Sequence, residues 1–295
     1  MSNTIALATK FLPILDEKYK RESLTSRLDA ANGEIEWIGA DTVKLAKMTI
    51  PGLGNYSRSG GYPHGDVALE WETLQLTKDR GIDLDIDRFD NEETLGQAWG
   101  NLVAQFMRLS VVPEIDAYRF AKYASAVTPV KADITVGTTD IPALIATAEE
   151  TMGDNEVPEE GRILYVSSKC YNALQNKITR YLANEGNVSR KVEMYNDMEV
   201  VKVPQGRFNT AVTLYDGTAN FGFVPTAGGY KINFMIVHPT AVKNAVKFAL
   251  PKIFTPEENQ SKDAWKFQYR HYHDAFVLSE KTTGIYVHAA NTANS

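Results

Sequence analysis

The sequence predicts a mixed helix-and-sheet protein, α+β or α/β, and three observations carry that prediction. Ile82, Leu84 and Ile86 alternate with Asp83, Asp85 and Asp87, the period of a half-buried strand with an acidic outer face. Leu95, Trp99, Leu102, Val103, Phe106 and Leu109 then repeat at helical spacing. Trp265 to Leu278 alternates again over fourteen residues, roughly 46 Å at ~3.3 Å each. A strand that long needs an equally long partner, and Ile82 to Ile86 and the stem of a preceding hairpin are the expected ones, with the helix packed on one face.

The hairpin runs from about residue 43 to 78. Val43 to Ile50 is a first strand, ended by Pro51-Gly52. Gly54, Gly60, Gly61, Pro63 and Gly65 make residues 51 to 66 a tip of turns. Val67, Leu69 and Trp71 line one face of the returning strand, and Leu74 and Leu76 lie on the other. With a period of two, that switch implies a bulge or a crossing into a different neighbourhood. An isolated two-stranded hairpin is marginal in water, and residues 43 to 78 hold no helix to cover it. The hairpin is therefore expected to lie on another subunit.

Before the hairpin, Phe11, Leu12, Ile14, Leu15, Tyr19, Leu24 and Leu28 suggest short amphipathic helical pieces in an arm along the body or a neighbour. After it, Asp90 is a good helix N-cap, with Glu92 and Glu93 in the first turn. Pro113 should kink or interrupt the helix near Val111, and helical spacing resumes through Ile115, Tyr118 and Phe120. Val127 to Lys131 reads as a crossover into a second domain. There Asp140 and Pro142 start a helix, Ile141 to Met152, stopped by Gly153. A strand from Ile163 to Val166, a helix from Ser168 to Tyr181 and strands at Met198–Val203, Phe208–Leu214, Phe234–Val237 and Ile285–Ala289 complete the mixture.

At 295 residues the chain can hold one or two domains with real cores. Acidic residues outnumber basic ones, 37 to 31, for a net charge of -6, and no basic stripe is visible, which argues against tight phosphate binding. Cys170 is the single cysteine, so no intrachain disulfide can form and a thiolate zinc site is disfavoured. The N-terminus lacks a secretory signal pattern. No apolar run approaches the ~18–20 residues of a membrane helix, and synthesis inside the cell is expected.

The candidate chemical motifs have simpler readings. Counted from Asp83, a calcium loop would need Gly and Glu where Arg88 and Thr94 stand, so the aspartates are a solvated strand face. His271 and His273 point the same way on a strand, but Asp274 points to the other face and no third ligand is evident. A sheet surface or subunit contact is the preferred setting. Cys170 lacks a cysteine-hydrolase signature and reads as a partly buried helix residue. The glycines at 52, 54, 60, 61 and 65 match no phosphate loop. No catalytic, metal-binding or cofactor-binding residue is assigned. Tyr56, Arg58 and Tyr62 are expected to make subunit contacts at the hairpin tip, because Tyr and Arg are enriched at interfaces. Arg80, Asp87, Arg88 and Asp90 are expected to fix the hairpin base against the helix start.

Several of these segments together resemble the major capsid proteins of tailed bacteriophages, with the Hong Kong 97-type fold. The resemblance covers almost the whole chain. It rests on Asp79-Arg80-Gly81, Ile86-Asp87-Arg88-Phe89-Asp90, Glu92-Glu93-Thr94, Val111-Val112-Pro113-Glu114-Ile115-Asp116-Ala117-Tyr118-Arg119, Ile236-Val237-His238-Pro239 and Tyr269-Arg270-His271-Tyr272-His273-Asp274-Ala275-Phe276, in that order and spacing. It implies an α+β fold with an N-terminal arm (1–38), an extended hairpin loop (39–80), a peripheral domain (81–127 and 264–279) with a spine helix at about 91–124, and an axial domain (128–263 and 280–290).

The function this resemblance implies is structural, not enzymatic. Copies would assemble into hexamers and pentamers of an icosahedral shell around double-stranded DNA, bound without sequence specificity. Assembly would take place in the bacterial cytoplasm, and the protein would reside in the virion. A portal protein and decoration proteins are implied partners. The chain begins too close to the body for the N-terminal scaffolding segment that some members carry, so a separate scaffolding protein is expected. Lys44, Lys47 and Lys78 lie in the loop, but no crosslinking partner can be assigned to them. The rivals are an encapsulin-type nanocompartment shell with the same fold and, more remotely, a soluble hydrolase using Cys170 or the two histidines.

Overall fold

The computed structural model describes residues 23–29, 37–38, 41–49, 51–88, 105–135, 137–175, 178–185 and 188–294. A 3-10 turn, Ser26–Leu28, precedes β1 (Trp37–Ile38), β2 (Thr42–Thr49), β3 (Ala68–Gln75) and β4 (Lys78–Asp87). A π-helical turn, Met107–Val111, leads into α1 (Val112–Ser125). Next come β5 (Val130–Lys131), α2 (Ile141–Asp154), β6 (Ile163–Ser167), α3 (Ser168–Leu174), β7 (Thr179–Glu185), β8 (Val188–Tyr195) and β9 (Met198–Val203). The last third holds β10 (Val212–Leu214), β11 (Phe223–Pro225), β12 (Tyr230–Val237), β13 (Val242–Phe254), β14 (Ala264–Val277) and β15 (Ile285–Ala293).

Two sheets and one helix organise the body. The long sheet has the order β13-β14-β4 and is antiparallel throughout. The second sheet has the order β5-β15-β12-β6-β9-β8-β7. Every residue of β6 is buried, as expected of a strand covered on both faces. On one face lie α2 and α3, where Ile145, Met152, Cys170 and Leu174 pack on Leu164, Val166, Phe234 and Ile236. On the other lies α1, whose Tyr118, Phe120 and Tyr123 share a cluster with Tyr165, Val203, Met235 and Val237. That cluster also holds Val242 of β13 and Ala275 of β14, so α1 joins the two sheets. Each such fully buried side chain is worth about 1.5–3 kcal/mol.

The long strand and its pairing with β4 agree with the sequence reading. Its second partner is a correction: β13 pairs with β14 from Val242↔Val277 to Phe254↔Lys266, and the hairpin stem does not pair with it. Pro251 hides β13 in the sequence, since proline argues against a strand; it is tolerated because β13 is a sheet edge.

Other differences have local causes. The Ser168–Tyr181 helix stops at Leu174, and Thr179 to Tyr181 instead pair with Met194 to Val192 in β8. Helix propensities of residues other than glycine and proline differ by at most about 0.7 kcal/mol, so sheet pairing overrides them. Of Phe208–Leu214 only β10 is strand; Phe208 is fully buried just after a 3-10 turn. The expected interruption at Pro113 takes the form of the π turn, which widens the helical ladder where proline has no N–H to give. Asp140 caps α2 by accepting a hydrogen bond from the Ala143 amide at 3.4 Å. The helical pieces expected before Ser23, and the helix start from Asp90 to Val103, lie outside the described residues.

Candidate subunit-interface surfaces

The hairpin register is unbroken, from Thr42↔Gln75 to Thr49↔Ala68. The face switch between Trp71 and Leu74 is therefore no bulge but a change of neighbourhood. Leu74, Leu76 and Val43 pack with Ala245 and Phe276 of the long sheet. Farther out the opposite face is bare: Val67, Leu69 and Trp71 are 59%, 55% and 53% exposed. Every residue from 62 to 71 is exposed. Three large apolar side chains on one open strand face are an uncovered surface of the kind that marks interaction sites.

The tip is a small ordered turn. Ser57 and Gly61 exchange backbone hydrogen bonds, at 3.1 and 2.7 Å, and the Gly60 amide donates to the Ser57 hydroxyl at 3.1 Å. Gly61 has φ +77°, a left-handed conformation that favours glycine. This closure brings Tyr56 and Tyr62 together, ring centroids 5.0 Å apart. Both rings are exposed, as is Arg58. The three expected tip residues thus sit on one turn.

At the hairpin base Arg80 grips the first turn of α1. Its Nε and Nη2 donate to the two carboxylate oxygens of Glu114 at 2.7 and 3.2 Å, a bidentate pair, and Nη1 donates to the Tyr215 carbonyl. Arg88 faces the turn between β13 and β14, 3.7 Å from both Glu257 and Asp263. Asp87 ends β4 opposite Ala264 and is exposed. Asp90 lies outside the described residues. On the outer face of β4, Asp79 pairs with Arg270, Asp83 with Lys266 and Asp85 with Lys262, which gives the acidic stripe its cross-strand partners.

Sequence reading missed the buried polar root of α1. Asp116, fully buried, accepts bonds from the Ser23 hydroxyl, the Leu24 and Thr25 amides, the Thr25 hydroxyl and Arg207. Arg119, also fully buried, reaches Thr25 and Asp29. The signal was present: between Ile115 and Ala121 the only two charged residues, Asp116 and Arg119, stand three apart and share one helix face.

His271 and His273 do share a face, with rings stacked 4.6 Å apart, but they are buried, not on an outer surface. Burial, with Arg119 nearby, holds His271 down to about 4. Asp274, beside them, accepts the Tyr118 hydroxyl at 2.6 Å and the Thr77 amide and hydroxyl at 2.9 and 2.8 Å, and the Tyr118 ring also packs edge-on against His273. Cys170 is fully buried at the start of α3, more so than expected, and burial pushes its thiol up, the reverse of an activated nucleophile.

No protein-family model and no curated protein matches the chain. Solved structures do. A chain from Mycobacterium phage Che8 superposes with TM-score 0.59 at 16% identity, covering 91% of each chain. The mature capsid of bacteriophage PhiM1 gives 0.59 at 12%, covering 86% of this chain and 83% of that one. A virus-like particle from Pyrococcus furiosus gives 0.53 at 9%, covering 95% and 98%. The α+β fold of this chain is the fold of phage capsid chains.

Proposed function

We propose that the protein is a major capsid protein of the Hong Kong 97 type, a shell subunit and not an enzyme. The observation that carries this reading is the bare apolar face of the hairpin on a chain whose fold matches capsid chains. A fold that buries Phe120 and Tyr165 completely yet leaves Val67, Leu69 and Trp71 open is finished only by a neighbour. The hairpin of one copy lies on the next, with Tyr56, Arg58 and Tyr62 in the contact, and Arg80, Asp87, Arg88 and Asp90 set the angle of its base. A head-to-tail contact of this kind closes into rings, here hexamers and pentamers. Several weak interfaces per subunit act together to make a firm shell.

The shell encloses double-stranded DNA in a phage head, assembled in the bacterial cytoplasm with a separate scaffolding protein and a portal, and open to decoration proteins. A net charge of -6 lets packed DNA slide rather than adhere; strong, salt-sensitive binding of free subunits to duplex DNA would count against that.

The likeness to the Pyrococcus particle favours one second reading, a cellular nanocompartment that encloses enzymes. Electron microscopy of the protein expressed alone and with its genomic neighbours tests both. Closed particles, tubes or rings are expected. Nuclease-protected DNA inside supports the phage head, and protein cargo supports the nanocompartment.

A further inference from the structure

The stacked histidines lie at a junction of three elements. Both belong to β14; across from them on β4 stand Arg80, opposite His271, and Lys78, opposite His273. Tyr118 of α1 sets its ring edge on His273 at 5.7 Å, and the Lys78 ammonium lies 5.5 Å over the same tyrosine ring. From β13 the opposing residues are the uncharged Ala249 and Val246. His271 and His273 are 5% and 1% exposed, and Nδ1 of His273 has no hydrogen-bond partner.

The charges around the pair are unfavourable to an imidazolium. Arg80 and Lys78 of β4 and Arg119 of α1 all act on it as cations. The nearby carboxylates are committed. Glu114 of α1 binds Arg80, and Asp274 accepts from the Thr77 amide, the Thr77 hydroxyl and Tyr118. Among the described residues, neither of these carboxylates is left for a charged ring. The closed junction therefore requires both histidines neutral.

We propose that this junction is an acid-opened hinge, at which protonation of the His271–His273 pair parts the hairpin root on β4 from α1 while the seven-stranded sheet holds. The proposal concerns one subunit and stands apart from the shell reading. Both rings are held below the ordinary histidine value, His271 at about 4 and His273 well below it, by burial first and then by neighbouring cations and, for His273, His271. Once hydrated they return to about 6.5. Closure is thus fully stable above the hydrated value and loses stability as pH falls below it, down to the closed-state values. Between pH ~7.5 and ~4.5 the opening constant rises by about a hundredfold per ring, hence roughly 10³ or more for the pair.

His238 and His288 are also depressed by burial. They act on the other sheet, singly, and with partners: Thr240 and the Glu160 carbonyl for His238, Asn233 for His288. Hydrogen exchange of the full chain separates the two sites, with labelling times scaled to the intrinsic rate at each pH. From about pH 7.5 to 4.5, the amides of 78–82, 115–119 and 269–274 should lose at least about tenfold more protection than those of β6 and β12. The double variant His271→Gln/His273→Gln should abolish that difference. Equal loss in both sheets, no loss, or an unchanged difference in the double variant would overturn the hinge. If the variant does not fold, NMR titration of the wild-type rings decides: ring protonation near pH 6.5 with the junction amides still protected overturns it, and protonation coupled to their exchange supports it.

Discussion

The outer hairpin and the root of α1 solve opposite problems with the same chain. At the root, Asp116 and Arg119 are fully buried charges, an arrangement that destabilises a fold unless each polar atom is met. Asp116 is met five times, by Ser23, Leu24, Thr25 and Arg207. At the hairpin, ten successive residues from 62 to 71 are exposed, Val67, Leu69 and Trp71 among them. The Asp116 carboxylate is satisfied within one copy; the apolar hairpin face is not covered. On the proposed shell reading, stability resides in the first region and association in the second, so mutations should separate the two properties.

The largest effect on folding is expected at the root. Asp116→Ala leaves Arg207 and the Thr25 and Ser23 donors without their acceptor and should cost about 3–5 kcal/mol, read as a lower denaturant midpoint. Next is the hairpin base. Arg80→Glu sets two carboxylates against each other where Glu114 now receives two hydrogen bonds. Folded subunits that form no closed particles by electron microscopy are expected, and normal particles would remove the role. Tyr62→Ala at the tip should leave unfolding within about 0.5 kcal/mol and weaken association by about 1 kcal/mol or more, read from the concentration at which subunits assemble. The smallest change is expected at Arg270→Ala, an exposed pair with Asp79. Neither the unfolding midpoint nor assembly should shift measurably, and loss of particles would move the interface onto the outer face of β4.

Much of this contrast was legible in the sequence, and for a physical reason. Alternation in Ile82–Ile86 and Trp265–Leu278 reports a sheet with one face covered, and the glycine-rich run from Gly52 to Gly65 reports turns. The face switch between Trp71 and Leu74 marked where the hairpin leaves its own body. What stayed hidden depends on contacts distant in sequence. β13 has an interior proline that only an edge position permits. Thr179 to Tyr181, the start of β7, read locally as helix and are held as strand by β8. The hydrogen bonds of Asp116 come from residues over 90 positions away. The histidine pair was found by its spacing, but its burial, with Tyr118 packed on His273, and the cations around it are not revealed by the spacing.

Sedimentation velocity of the wild type beside Val67→Ser/Leu69→Ser/Trp71→Ser, with unfolding midpoints measured on both, tests the division between a finished body and an unfinished hairpin most directly. The wild type should sediment as rings or shells and the triple variant as a monomer with the same midpoint. A triple variant that assembles like the wild type, or a wild type that stays monomeric under every condition, would contradict it.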